Sequence, residues 1–146
     1  MNRPLILAVD DDEDSLLLLK QALEIFSLTL VTTTTGRSGL LMAALFQPQL
    51  ILLDMRLPDI SGFEVVRQLK RQPSTRNIPV LAISALVQTE YLQEMLLAGC
   101  DGFLGKPYFL NDLEVAIHQM LPQLCPNCAQ SYEYNQSQLG LFLYNV

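Results

Sequence analysis

Four apolar runs in this 146-residue chain lead into side chains that can do chemistry. Residues 5–9 run into the consecutive acids Asp10, Asp11, Asp12, Glu13 and Asp14; residues 50–53 run into Asp54; residues 80–83 run into Ser84; and Phe103 and Leu104 are followed, one glycine later, by Lys106. Two carboxylates about 4 Å apart repel by roughly 4 kcal/mol at an effective dielectric near 20, so gathering Asp10, Asp11 and Asp54 requires a cation or bound protons. A hard divalent ion meets that need, and Mg²⁺ typically takes a few carboxylates while keeping positions for water and phosphate oxygens. A carboxylate nucleophile, a metal that polarises phosphoryl oxygens, and a hydroxyl and ammonium that hold the product are together the parts of a phosphoryl transfer. Taken singly, each has an ordinary alternative: a helix-capping acidic turn, the start of a loop, a surface lysine. Only their convergence carries weight.

Convergence depends on the elements between them. Residues 5–9 read as a short buried strand, and the periodic apolar positions Leu16, Leu19, Leu23 and Phe26 as a helix capped by Asp14 or Ser15, with the acidic turn at its positive end. Residues 28–33, rich in Thr and β-branched types, read as a second strand, and Gly36 separates it from a helix carrying Leu40, Leu41, Ala44 and Leu45. Pro48 stops that helix ahead of residues 50–53, whose unbroken apolar character suits a parallel strand covered on both faces. Pro58 and Gly62 mark a loop before a helix over about residues 63–70, and Pro73 closes the unit. A strand at 80–83, a helix at 90–98 stopped by Gly99, a short strand at Phe103 and Leu104, and a helix after Pro107 through Leu110, Leu113, Ile117 and Met120 to Pro122 complete the pattern. Five alternations predict an α/β fold with a doubly wound parallel sheet, and among such sheets the flavodoxin-like (βα)5 arrangement with strand order 2-1-3-4-5 is the one expected here. Ligands in such sheets bind beyond the carboxyl ends of the strands where the order reverses, here between the first and third strands. That puts Asp10, Asp11, Asp54, Ser84 and Lys106 on one rim.

Composition narrows the classes. With 50% hydrophobic and 16% charged residues, the chain has the makings of a core, and a single domain over residues 1–123 with a tail over 124–146 is expected. A net charge of −6 works against binding to phosphate backbones, so no nucleic-acid partner is expected. The apolar runs fall well short of the roughly 20 residues that span a bilayer, and the first residues lack the pattern of a secretory signal, which predicts a cytoplasmic protein with no membrane contact. The three cysteines fit free thiols in a reducing compartment. Cys125 and Cys128 form a C-x-x-C pair without the second pair of a four-ligand zinc site, while Cys100 and His118 stand alone.

The ordered set Ile6-Leu-Ala-Val-Asp10-Asp11, Leu52-Leu-Asp54-Met-Arg56-Leu-Pro58 with Gly62 four residues on, Ser84-Ala85, and Gly102-Phe103-Leu-Gly-Lys106-Pro107 resembles the response-regulator receiver domains of two-component signalling, over about residues 4–121. The resemblance implies that Asp54 is the phosphoacceptor, Asp11 a direct Mg²⁺ ligand, Asp10 a ligand through water, and the Arg56 backbone carbonyl the remaining protein ligand. It further implies that Ser84 and Lys106 hold the phosphoryl group, that Lys106-Pro107 is a cis bond, and that Phe103 is the switch aromatic. Arg56 and Leu86 would flank the path of the hydrolytic water and slow loss of the phosphoryl group. The partners implied are a histidine kinase or histidine phosphotransfer protein as donor, and a downstream protein target that reads the face of the fourth helix, fifth strand and fifth helix. By this reading the chain is not an enzyme but a phosphorylated switch that assists its own phosphorylation and autodephosphorylation.

Other classes fit less well. A haloacid-dehalogenase-like Mg²⁺ phosphatase carries D-x-D at its nucleophile, whereas Arg56 stands two residues after Asp54. A dinucleotide-binding domain needs a glycine-rich first turn, where this chain has acids that would repel a pyrophosphate. A degenerate scaffold receiver would not need the intact Asp10, Asp11, Asp54, Ser84 and Lys106 set. Too few residues follow the last helix for an effector domain, so the output is expected to be protein binding. The tail contains Tyr132, Tyr134, Leu139, Leu141, Phe142, Leu143 and Tyr144, and two readings stay open for it. One is a disordered terminus. In the other, its apolar end, costly to leave in water, covers an edge strand of the sheet, the face of the fourth and fifth helices, or the same segment of a second copy in a homodimer.

Overall fold

The computed structural model describes residues 3–85, 88–121 and 141–143, the last three as backbone. Leu86, Cys125 and Cys128 lie outside the described residues, as does the 124–146 tail except for 141–143. Strands and helices alternate as β1 (Leu5–Val9), α1 (Glu13–Leu23), β2 (Thr29–Thr33), α2 (Gly36–Phe46), β3 (Leu50–Asp54), α3 (Gly62–Arg71), β4 (Val80–Ser84), α4 (Thr89–Ala98), β5 (Gly102–Gly105), α5 (Leu110–Met120) and a last strand, β6 (Leu141–Leu143). The first five strands are parallel in the order β2-β1-β3-β4-β5, the flavodoxin-like topology expected. The sheet also has a sixth member: β6 runs antiparallel along β5, with Phe103 opposite Phe142. Of the surfaces open to the tail, this part of it takes the edge of the chain's own sheet.

Because successive residues of a strand point to opposite faces, the central strands feed two separate cores. On one side Ile6, Ala8, Leu50, Leu52, Leu81, Ile83 and Leu104 pack with Leu16, Leu19 and Leu23 of α1 and Leu113, Ala116 and Ile117 of α5. On the other, Leu7, Val9, Ile51, Leu53, Val80, Ala82 and Phe103 pack with Ala43 of α2, Val65, Val66 and Leu69 of α3, and Met95 and Ala98 of α4. Every residue of β3 and β4 is buried, which accounts for their unbroken apolar sequences. Each Val, Leu or Ile so buried contributes about 1.5–3 kcal/mol, enough to fix the register that places the strand ends. Gly99 ends α4 in the left-handed region at φ 114°, as its place after the last helical position suggests.

The helix starts differ in one respect from expectation. Asp12, not Asp14 or Ser15, caps α1: its backbone is extended, while Glu13 and Asp14 already lie in the first turn. With five acids in a row from Asp10 to Asp14, sequence alone does not say which one leaves the strand and which enters the helix.

Candidate functional site

The rim at the carboxyl ends of β1, β3, β4 and β5 is built from strand ends. Asp10 still donates its N–H to the Thr33 carbonyl at 3.1 Å, then turns the chain by accepting the Asp12 N–H on Oδ1 at 3.0 Å. Asp12 in turn accepts the Asp14 N–H at 3.1 Å and the Ser15 hydroxyl at 2.9 Å. The Ser15 bond first and the Asp14 amide second hold the Asp12 carboxyl below its ordinary range. Asp12 is thereby spent on the helix cap, and Asp10 and Asp11 remain for the rim.

Asp54 closes β3 with only 9% of its surface exposed, and its Oδ1 accepts the Arg56 N–H at 2.9 Å. Burial is the leading reason that its carboxyl titrates above the usual carboxylate range; the Arg56 amide and Lys106 oppose the shift, and the nearby Asp10 adds to it. Lys106 reaches in from the end of β5 and donates from Nζ to Asp10 Oδ2 at 3.0 Å and to Asp54 Oδ2 at 3.2 Å. Burial disfavours its ammonium, but the hydrogen bond to Asp10 and the charges of Asp54 and Asp10 outweigh that effect and raise its pKa. The Lys106 N–H donates to the Ser84 carbonyl at 2.8 Å, which ties the end of β5 to the end of β4. Ser84 is 2% exposed and lies in register with Gly105. The Lys106-Pro107 bond is cis.

The carboxylate oxygens of Asp10, Asp11 and Asp54 lie within 4.8 Å of one another. Among three carboxylates, one ammonium leaves a formal surplus of two negative charges when all are ionised, the charge of one divalent cation. The donors are all hard oxygens, so the set fits Mg²⁺ and not a thiolate- or imidazole-seeking metal. Arg56 follows Asp54 in the same loop with its side chain exposed. The structure thus brings Asp10, Asp11, Asp54, Ser84 and Lys106 to one rim, with the backbone of Arg56 beside them. Phe103 is not at the surface of the site: it is 0% exposed, within the core between the sheet and α2 to α4.

Two features of the rim are absent from the sequence reading. Asp59, in the β3–α3 loop, accepts the backbone N–H groups of Gly36 and Arg37 at 2.8 and 2.9 Å. These two amides lead its carboxyl down to about 2, the Arg37 amide first. Its only local signal is an acid between Pro58 and Gly62; the contact spans more than 20 residues and has no sequence periodicity. The second feature is an apolar groove of about 640 Å³ beside Lys106, lined by Leu18, Leu19, Pro107, Tyr108 and Leu110. Leu18 and Leu110 look there like ordinary helix positions, yet they are 67% and 58% exposed.

Residues 6–118 match the family model described as the response regulator receiver domain. The chain is 33% identical over 141 residues to the DNA-binding dual master transcriptional regulator RpaA of Synechocystis sp., covering 94% of this chain and 58% of that protein. It thus spans well under two thirds of that relative's length. It is 31% identical over 102 residues to the polar-differentiation response regulator DivK of Brucella ovis, covering 70% of this chain and 83% of DivK. Among solved structures, the chemotaxis response regulator CheY4 of Vibrio cholerae superposes with a TM-score of 0.78 at 26% identity, covering 82% of this chain and all of that one. The receiver domain of the sensor histidine kinase PA1611 of Pseudomonas aeruginosa, solved with magnesium in its active-site cleft, superposes at 0.77 with 22% identity over 83% of this chain and 99% of that one. Receiver domains are signalling modules that interact with histidine kinases or phosphotransfer proteins and with downstream targets, and none of the helices described here is long and apolar enough to cross a membrane. With a fold, a rim and a family model that agree over the same residues, this chain belongs to the response regulator receiver domains of two-component signalling.

Proposed function

We propose that Asp54 accepts a phosphoryl group from a phosphohistidine on a histidine kinase or phosphotransfer partner, and that the resulting acyl phosphate changes the affinity of the α4, β5 and α5 face for a protein target. The observation that carries this reading is the Lys106 ammonium bridging Asp10 and Asp54 beside Asp11, with the three carboxylates close enough to share one ion. A carboxylate oxygen of Asp54 attacks phosphorus, the bond from phosphorus to the donor's imidazole nitrogen breaks, and the ring leaves once that nitrogen is protonated. Lys106, already within hydrogen-bond distance of Asp54, follows the new negative charge as an ion pair, and the Ser84 hydroxyl is read as a hydrogen-bond donor to the phosphoryl group. Asp11 and Asp54 directly, Asp10 through water and the Arg56 carbonyl would hold Mg²⁺, which neutralises charge on the phosphoryl oxygens when bound. The magnesium in the PA1611 receiver cleft supports the same choice of ion here.

Phe103 is read as the switch element, working by packing alone since it has no hydroxyl. The exposed Leu18 and Leu110, which line the groove, supply an apolar surface beside Lys106 against which a donor protein can dock. The 124–146 stretch is read as an interaction segment, supported by the pairing of β6 with β5 on the output side of the sheet; exchange of that strand between two copies would give a homodimer. The net charge of −6 supports a protein target and not a nucleic-acid one, and the reading places the protein in the cytoplasm with its ATP-fed donors.

The test is to incubate the protein with Mg²⁺ and a small-molecule phosphodonor, measure intact mass and map the modified peptide. One phosphoryl group on Asp54, absent from Asp54→Asn, is expected; equal labelling of that variant at another residue overturns the assignment.

A further inference from the structure

We infer that Asp59 is a positioning residue for the metal-binding loop, clamping the turn between β3 and α3 onto the start of α2. This rests on the reading of Asp10, Asp11, Asp54 and the Arg56 carbonyl as a Mg²⁺ shell. At its base the loop is closed by its own backbone: the Gly62 N–H donates to the Met55 carbonyl at 3.2 Å, and a Cβ on Gly62 would meet the Met55 Cα at 2.6 Å. That contact leaves room for glycine alone and fixes where the loop begins and ends. It does not hold the outer part, residues 56–59, which carries the carbonyl the ion would use.

The outer part is held by Asp59. Its two carboxylate oxygens accept separate backbone amides, Gly36 at 2.8 Å and Arg37 at 2.9 Å, both in the first turn of α2. First-turn amides have no acceptor within their own helix, and an ionised acceptor at the positive end of a helix makes strong bonds. Thr35, the α2 cap, bonds the Ser38 amide at 3.2 Å, so the two caps divide the first-turn amides between them. The surfaces are also pressed together: a Cβ on Gly36 would come within 2.7 Å of Ile60 and 2.9 Å of Val65. Two residues, Leu57 and Pro58, separate Asp59 from Arg56, so the carbonyl is held between one anchor at Asp54 and a second on α2. An ordinary helix cap would stabilise α2 and nothing else; a clamp also sets the metal site.

Mg²⁺ titrations followed by ¹⁵N–¹H correlation spectra separate these roles. Partners that hold a metal's ligands in place typically alter its affinity about 10- to 100-fold, and Asp59→Ala is expected to raise the Mg²⁺ half-saturation concentration about tenfold. Asp59→Asn, which keeps one acceptor, should fall between it and wild type. Thr75→Val removes the 2.6 Å bond from Thr75 to the Leu69 carbonyl at the other end of α3, and should lower the melting temperature while leaving half-saturation unchanged. Wild-type half-saturation in Asp59→Ala, or an equal shift in Thr75→Val, overturns the inference. Amide exchange in the metal-free protein decides the clamp independently of the metal reading. Asp59→Ala should speed exchange at Arg56, Leu57 and Ile60 as well as at Gly36 and Arg37, and acceleration confined to Gly36 and Arg37 reduces Asp59 to a helix cap. A wild-type protein whose spectrum ignores Mg²⁺ would sink the metal shell itself, leaving the exchange result to stand on the loop alone.

Discussion

Removing the Asp11 carboxylate should make the metal-free protein more stable. Lys106 is engaged with Asp10 and Asp54 at 3.0 and 3.2 Å, and no ion pair to Asp11 is found among the described residues. Asp11 lies within 4.8 Å of both other carboxylates and is itself exposed, so solvent screens the repulsion strongly. At the dielectric of water two charges at that separation repel by about 0.9 kcal/mol, and at an effective value of 20 by about 3.5 kcal/mol. With Lys106 compensating the other two acids, a net gain near the lower figure, about 1 kcal/mol, is expected for Asp11→Ala. In a domain of this size that corresponds to roughly 3 °C in melting temperature. The sign reverses with metal. An ion that binds only the folded state adds RT ln(1 + [Mg²⁺]/Kd), about 1.4 kcal/mol at ten times Kd, and Asp11→Ala should forfeit it. Thermal melts of both proteins over a Mg²⁺ series should therefore cross, the variant being higher without the ion and the wild type higher with it. A variant less stable than wild type without Mg²⁺, or two proteins raised equally by it, would refute the account of the rim as an under-compensated cation site.

Arg56→Ala should shorten the lifetime of the phosphorylated protein several-fold by opening a path for water, since the side chain is exposed beside Asp54; loss of label followed by intact mass measures it, and an equal or longer lifetime removes the idea. The Asp59 carboxyl, at about 2, has a folded-state pKa below its unfolded value of about 3.9, so its stabilisation is present above the unfolded value and lost as pH falls toward 2. Urea midpoints of wild type minus Asp59→Asn should accordingly be constant above about pH 5 and shrink between about pH 4 and 2, and a constant difference throughout would contradict that linkage. Deleting residues 124–146 should speed amide exchange over Gly102–Gly105 by removing β6 from the edge, while light scattering reports whether the full chain is a dimer through the same segment. Unchanged exchange in β5 would separate the segment from that edge.

Much of this molecule is written locally. The runs at 50–53 and 80–83 are apolar at every position because both faces of a central parallel strand are covered, and that burial sets where Asp54 and Ser84 emerge. Glycine and proline punctuation gave the helix ends to within a residue or two, and the alternation of elements implies a parallel sheet, while the order 2-1-3-4-5 is one choice among such sheets that the strand pairings bear out. Asp10, Asp11, Asp54, Ser84 and Lys106 could be placed on one rim for the same reason, since each stands at or just beyond a strand's carboxyl end. What the order of residues left open was settled by contacts between distant segments. Asp12 became the cap of α1 because Thr33 on β2 holds the backbone of Asp10, whose side chain then takes the Asp12 N–H and starts the turn there. Lys106 joins Asp10 across 96 positions, Asp59 meets Gly36 across 23, and β6 returns to the edge of β5 only after the whole of α5. A hydrogen bond requires only that donor and acceptor meet at about 3 Å, and it imposes no pattern on the intervening sequence, whereas a buried strand or an amphipathic helix imposes one at every second or every third to fourth residue.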